Sequence, residues 1–361
     1  MPMVAELVDA VVGVDTHRDT HEAEIAFPTG TAIGTRTINN DNSGFAELLA
    51  WISDQAPGPR VVVSIEGTRS FGVGLARAVA AAGLTVIECE QPRREARRGR
   101  GKSDPIDAHL AVLAALRLDA DRLPVPRADG DREALRILLG ARHDLAVANT
   151  AQTNRLRALL LGGSDAERDL ARATLADPML VAIARRREPR EATREQAVRH
   201  GEARRLALAV RAGRHALAAN RAQLQTIVDE MAPGLTERRG IGAVTAAQAI
   251  VSFSHPGRCR SDAAFAALSG TSPLQASSGK TVRHRLNRGG DRALNCAIHT
   301  IAMTRMRCCP TTKEYVARRT AEGKSTREIR RCLKRYIARE FYRALNAGTT
   351  LTAETSAAAA A

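Results

Sequence analysis

The sequence predicts a mixed α/β domain followed by two regions built mainly of helices, an α/β plus all-α chain. Three observations carry this reading. Short β-branched runs alternate with helical periodicity over the first third. A charge-rich helical period then runs from about residue 131 to 231. Beyond residue 234 most of the pattern is again helical, broken by glycine pairs and one polar Ser-Ser-Gly segment.

Residues 11–17 (VVGVDTH) form a β-rich run, and 21–27 (HEAEIAF) alternate as a hairpin partner would. A third run, 31–38 (TAIGTRTI), follows a Pro-Thr-Gly turn. Residues 43–55 (SGFAELLAWISDQ) open on a capping Ser and carry helical spacing. The continuous apolar run 61–67 (VVVSIEG) has the character of a buried central strand. A helix over 71–82, a strand over 85–90 (TVIECE) and a helix opened by Asp104 complete the segment. Three antiparallel strands, then helix, strand, helix, strand, helix is the RNase H-like layout.

The middle region holds two long apolar-periodic stretches, 135–161 and 203–231, whose heptad-like spacing predicts an antiparallel pair or a coiled coil. Between them 184–195 (ARRREPREATRE) reads as an exposed hinge. We therefore expect boundaries at 1–125, 126–233 and 234–347. The low-complexity end, 348–361, is expected to be disordered.

The chain has 361 residues, a net charge of +15 and a pI near 10.6. This balance predicts a polyanionic partner. No apolar run approaches the length of a membrane span, and the first residues lack a basic stretch followed by an apolar one, so nucleic acid is the expected partner, with no membrane. Aromatics are only 3%, which argues for backbone contacts over base stacking. The six cysteines form no Cys-x-x-Cys pair and read as reduced thiols of a cytoplasmic protein.

Four acids fall at suggestive places. Asp15 ends the first strand and Glu66 ends the central one, and those strands are neighbours in an RNase H-like sheet. Asp104 and Asp107 lie three apart at the start of a later helix, so they face the same way. Each has a plainer explanation. Asp104, Pro105 and Asp107 make a good capped helix start, Asp15 suits a strand-end turn, and Arg69 is available to Glu66. Taken together, four converging carboxylates would repel one another without cations, and oxygen-only donors point to Mg²⁺ or Mn²⁺.

The blocks GVDTH, VSIEGT and GKSDPIDA resemble, in order and spacing, the N-terminal domain of the DEDD insertion-sequence transposases. The resemblance continues through GIGAVTAAQAI, FAALSGTSPLQASSGK, NRGGDRALNCAIH and GKSTREIRRCLKRYIAREFYRAL. It implies a RuvC-like nuclease domain, a helical linker and a C-terminal serine transposase domain. It further implies that Asp15, Glu66, Asp104 and Asp107 bind Mg²⁺, and that Ser278 attacks a DNA phosphodiester to form a covalent phosphoserine link. Ser277 is adjacent, and by itself SSGK is a flexible polar turn. The same resemblance implies a noncoding guide RNA and a composite site in a homo-oligomer, dimer or tetramer.

Phosphate contacts are expected at three places. The run 92–102 carries Arg93, Arg94, Arg97, Arg98, Arg100 and Lys102 and leads into the acid cluster, although a solvated loop fits it too. Gly240 and Gly242 resemble a helix-hairpin-helix turn or a plain interhelical turn, with Arg239 where the family often has proline. Lys280, Arg283 and Arg285 follow the serine. Two rival functions remain open at this level: a Holliday-junction nuclease using metal-activated water, and a nucleic-acid-binding scaffold with a dead core.

Overall fold

Five strands make one sheet: β1 (Ala10–Thr16), β2 (Thr20–Ala26), β3 (Ala32–Asn39), β4 (Val61–Glu66) and β5 (Thr85–Cys89), in the order β3-β2-β1-β4-β5. The first three are antiparallel neighbours, and β4 and β5 run parallel to β1. This is the RNase H-like arrangement. The computed structural model describes residues 2–89, 104–187, 190–275, 277, 284–285 and 287–359, and of residues 104–105, 122 and 348–359 the backbone alone.

The chain divides into two units, Met1–Glu133 with Phe253–Arg260, and Ala134–Ser252 with Ser261–Ala361. In the first, side-chain alternation sorts the sheet into two faces. Val12, Val14, Ile25, Val63 and Ile65 pack with Phe45, Leu48 and Ile52 of α2 (Asn42–Gln55) and Leu75 and Val79 of α3 (Val73–Ala81). Asp41 caps α2 by accepting from Gly44 N at 2.8 Å. On the other face Val11, Val62 and Ile87 meet Val112, Ala115 and Leu116 of α4 (Asp104–Leu116), joined by Val4 of α1 (Val4–Leu7). The same parity puts Gly13, Asp15, Ser64 and Glu66 on the α4 face.

In the second unit α5 (Gly130–Leu161) and α8 (Arg194–Met231) run antiparallel. Arg142 donates to the Leu217 carbonyl at 3.0 Å and Asn220 to that of Leu138 at 2.9 Å, while Arg199 donates to Gly162 at the far end. A capping box between Thr193 and Gln196 starts α8. Two short helices unread in the sequence, α6 (Asp165–Arg172) and α7 (Asp177–Arg185), bring Ala171, Leu180 and Ile183 against Leu156, Leu206 and Val210.

The remainder comprises α9 (Ala243–Phe253), α10 (Asp262–Leu268), the two-residue strands β6 (Leu274–Gln275) and β7 (His284–Arg285), α11 (Arg292–Cys308), α12 (Pro310–Ala321) and α13 (Thr326–Ala359). Phe265 of α10 and Phe341 of α13 are fully buried, with Ile298, Ile301 and Ile337. Helix α13 continues through the alanine-rich end, where the sequence reading expects no regular structure; alanine's helix propensity exceeds that of any other residue. Among the described residues no helix is long and apolar enough to cross a membrane.

Candidate active site

Strand pairing places the first two acids. Val14 pairs with Ile65 across parallel β1 and β4, so Asp15 and Glu66, one step on, end neighbouring strands on one face. Thr16 Oγ1 donates to the Glu66 carbonyl at 2.8 Å and ties the strand ends together. Both carboxylates are buried, Asp15 6% and Glu66 8% exposed.

Gly13 brings the third acid in. A Cβ there would lie 2.2 Å from the Ala108 carbonyl oxygen and 2.7 Å from Val112 N, so α4 crosses β1 backbone to backbone. Asp107, directly before Ala108, is 4% exposed. Asp104 is the first residue of α4, one turn earlier, and its side chain lies outside the described residues.

Two residues outside the four-acid set line the same face. Glu24 of β2, buried, has Oε1 2.6 Å from His109 Nδ1, one turn along α4 from Pro105. His17 Nε2 stands 3.3 Å from Asp15 Oδ2. The alternation of HEAEIAF placed Glu24 on a strand face but could not say that this face is covered by a helix.

The donor set is chemically apt for a hard divalent cation: three buried carboxylates on adjoining elements supply oxygen ligands only. Among the described residues, no three His, Cys, Asp or Glu side chains gather closely enough to hold an ion by themselves.

The serine region is bracketed by described structure. Strands β6 and β7 pair Leu274 with Arg285 and Gln275 with His284. Beside them a cavity of about 770 Å³ is lined by Arg285, Lys324, Arg331, Lys334, Arg335 and Arg339, with Glu328 among them. Burial pushes the Lys334 ammonium below its ordinary value, and its Nζ donates to Asn295 Oδ1 at 2.5 Å. Ser277 is exposed. Ser278, Lys280 and Arg283 lie outside the described residues, as do Arg93, Arg94, Arg97, Arg98, Arg100 and Lys102.

Gly240 and Gly242 directly precede α9, as the sequence reading expects. Gly240 has φ +81° and sits against Arg305, whose Nε donates to the Arg239 carbonyl at 2.7 Å. Gly242 N already donates to Thr245 Oγ1 at 3.1 Å, which fits an interhelical turn.

Two family models match the chain. One, designated DEDD_Tnp_IS110 and described as a transposase, matches residues 12–163. The other, described as the transposase IS116/IS110/IS902 family, matches residues 233–317. No curated protein matches the sequence.

Proposed function

The chain belongs to the IS110 family of insertion-sequence transposases, DNA recombinases that move mobile elements, and from that membership we propose how its residues divide the work. The observation that carries the reading is the burial of Asp15 and Glu66 on one sheet face together with the burial of Asp107 on α4, which packs against that face. Asp15, Glu66, Asp104 and Asp107 hold Mg²⁺ or Mn²⁺, with Asp104 completing the set. When bound, such ions stabilise the attacking and leaving oxygens of a phosphodiester.

Ser278 is the nucleophile in this reading. Its Oγ forms a bond to phosphorus, the P–O bond to the departing sugar breaks, the serine proton is released, and the departing oxygen takes up a proton. The link conserves the phosphodiester energy, so the reverse attack by a new sugar hydroxyl rejoins DNA. The cations of Lys324, Arg331, Arg335 and Arg339 beside β6 and β7 suit the developing charge.

A guide RNA completes the reading. A chain of net charge +15 with few aromatics suits holding backbones while base pairing reads sequence. A homo-oligomer lets the acids of one copy meet the serine of another. Exposed Ile137 and Val147 on α5, with Val198 and Leu208 on α8, offer apolar surface for it.

The test is to incubate purified protein with element-end DNA, guide RNA and Mg²⁺, and to look for protein–DNA adducts that survive denaturation. Ser278→Ala abolishes adducts and keeps DNA binding, whereas Ser277→Ala keeps both. Adducts persisting in Ser278→Ala, or strand cleavage surviving in it but lost in Asp15→Ala, would overturn the serine role.

A further inference from the structure

Among the described residues the exposed aromatics are Phe27, Phe71 and Tyr336, and Tyr336, at 55%, is the most exposed. The two phenylalanines belong to the first unit. Tyr336 lines the cavity of about 770 Å³ beside β6 and β7. Its ring meets that of Tyr315 on α12 edge to face, with centroids 6.0 Å apart and planes at 89°. Arg318 lies over the Tyr315 ring, 5.6 Å from its centroid. Tyr315 is thus occupied as a support, and Tyr336 keeps ring surface open to solvent.

Charge around the same cavity does not balance. Arg285, Lys324, Arg331, Lys334, Arg335 and Arg339 line it, with Glu328 as the acid among the described lining residues. Asp262 accepts from Arg335 at 3.2 Å and from Arg339 at 2.8 Å, so two carboxylates face six cations. Glu328 also accepts from the Ser325 N–H and hydroxyl. No acidic residue occurs in the sequence from 271 to 290, so the segment containing β6 and β7 adds no counter-charge. Arg285 is exposed and makes no salt bridge among the described residues. Arg331 Nη1 donates to the His284 carbonyl at 3.1 Å and holds β7 against α13.

Shape selects the kind of anion. Glu328, Arg331, Arg335 and Arg339 recur at three- and four-residue spacing and so form one face of α13. At 1.5 Å per residue that face is about 17 Å long, far more than one phosphate needs. Cations along a groove with an aromatic ring among them suit a single nucleic-acid strand, the cations taking its backbone and the ring one base. A paired base offers no free face to the ring. Ser272 and Pro273 lead into β6 and Arg285 closes β7, so the groove adjoins both ends of the segment that carries Ser278.

We propose that this groove binds an unpaired stretch of the DNA strand beside the attacked phosphate, with one base stacked on Tyr336 and the backbone held by the cations of α13 and Arg285. The proposal rests on the transposase reading in taking that strand as DNA.

The full-length protein in EDTA is mixed with a 12-nucleotide oligothymidylate carrying 5-iododeoxyuridine and irradiated, and the crosslinked peptide is sequenced by mass spectrometry. EDTA prevents cutting, so the result is independent of whether Ser278 forms adducts in Mg²⁺. A crosslink is expected at Tyr336, kept at that position in Tyr336→Phe and lost in Tyr336→Leu. Tyr336→Leu also weakens oligothymidylate binding about tenfold, the loss of one base–aromatic stack. It leaves the affinity for an abasic deoxyribose-phosphate strand of equal length unchanged. Arg285→Ala instead lowers the salt slope for both strands by about 0.7. A wild-type protein without a crosslink at Tyr336 would overturn the proposal, as would a Tyr336→Leu protein that loses as much affinity for the abasic strand as for oligothymidylate. A crosslink at Tyr336 given by the matching 5-iodouridine RNA and not by the DNA would overturn the assignment of the groove to DNA.

Discussion

Gly13 of β1 lies directly beneath Ala108 of α4, so close that a methyl group on Gly13 would sit 2.2 Å from the Ala108 carbonyl oxygen. That approach lets Asp107 enter the sheet face that already carries Asp15. The clash involves helix backbone, which cannot rotate aside. Gly13→Ala is expected to cost roughly 1–3 kcal/mol through overpacking and to shift α4 away from the sheet. DNA cutting then falls more than the stability loss explains. Thermal melting and a nicking assay on the same preparation check this; wild-type cutting in a folded Gly13→Ala protein would contradict it.

Glu66→Gln and Asp107→Asn are expected to abolish Mg²⁺-dependent cutting, by about 10³-fold if several kcal/mol of transition-state stabilisation are lost. Chelation of the wild type should have the same effect. Neutralising a carboxylate among buried like charges relieves repulsion, so in EDTA neither variant melts below the wild type by more than about 1 °C, the change expected when no net stability is lost. Adding Mg²⁺ raises the wild-type melting temperature and raises theirs less. Equal Mg²⁺ protection of all three proteins would remove these residues from the ion site.

The placement of Asp15 and Glu66 on neighbouring strands was readable in the sequence, and what was not readable has physical reasons. The period-two pattern of VVGVDTH and the continuous run VVVSIEG identified two buried strands, and an RNase H-like order made Asp15 and Glu66 neighbours. The structure places both on the α4 face by strand parity. The Glu24–His109 pair was hidden because its partners are 85 residues apart and neither sits in a distinctive motif. Arg69, offered by sequence proximity to Glu66, stands within 3.3 Å of Glu88.

Glu88 gives a pH signature. Burial pulls its carboxyl up, but hydrogen bonds and charge from Arg127, with Arg69 and Thr68 adding, outweigh burial and hold it below its ordinary 4.5. A folded-state value below the unfolded one means stability present in full above pH 4.5 and lost as pH falls through the folded value. Glu88→Gln leaves Arg127 buried without its anion and costs about 3 kcal/mol at neutral pH. The gap between wild type and Glu88→Gln should narrow as denaturant melts are taken from pH 6 to pH 3. A constant gap would show that the pair does not set acid stability.

Gly290 supports the segment that leads out of the serine region. It has φ +92°, and a Cβ there would lie 2.4 Å from the Leu268 carbonyl oxygen and 2.9 Å from that of Ala267. The next residue, Asp291, donates its N–H to Leu268 at 2.7 Å, caps α11 through Ala293 N and Leu294 N, and accepts from Ser252 Oγ at 2.6 Å. An alanine at 290 would meet both a left-handed backbone and an immovable carbonyl, and should cost more than about 1 kcal/mol. Displacing this anchor should also lower the yield of protein–DNA adducts if β6 and β7 hold the nucleophile in place. Gly242→Ala is the matched control, since no atom stands within 4 Å of its Cβ position and its φ is not left-handed. Gly242→Ala should melt and react as the wild type does, whereas Gly290→Ala should do neither; equal behaviour of the two would show that the Gly290 turn is not what holds the serine segment.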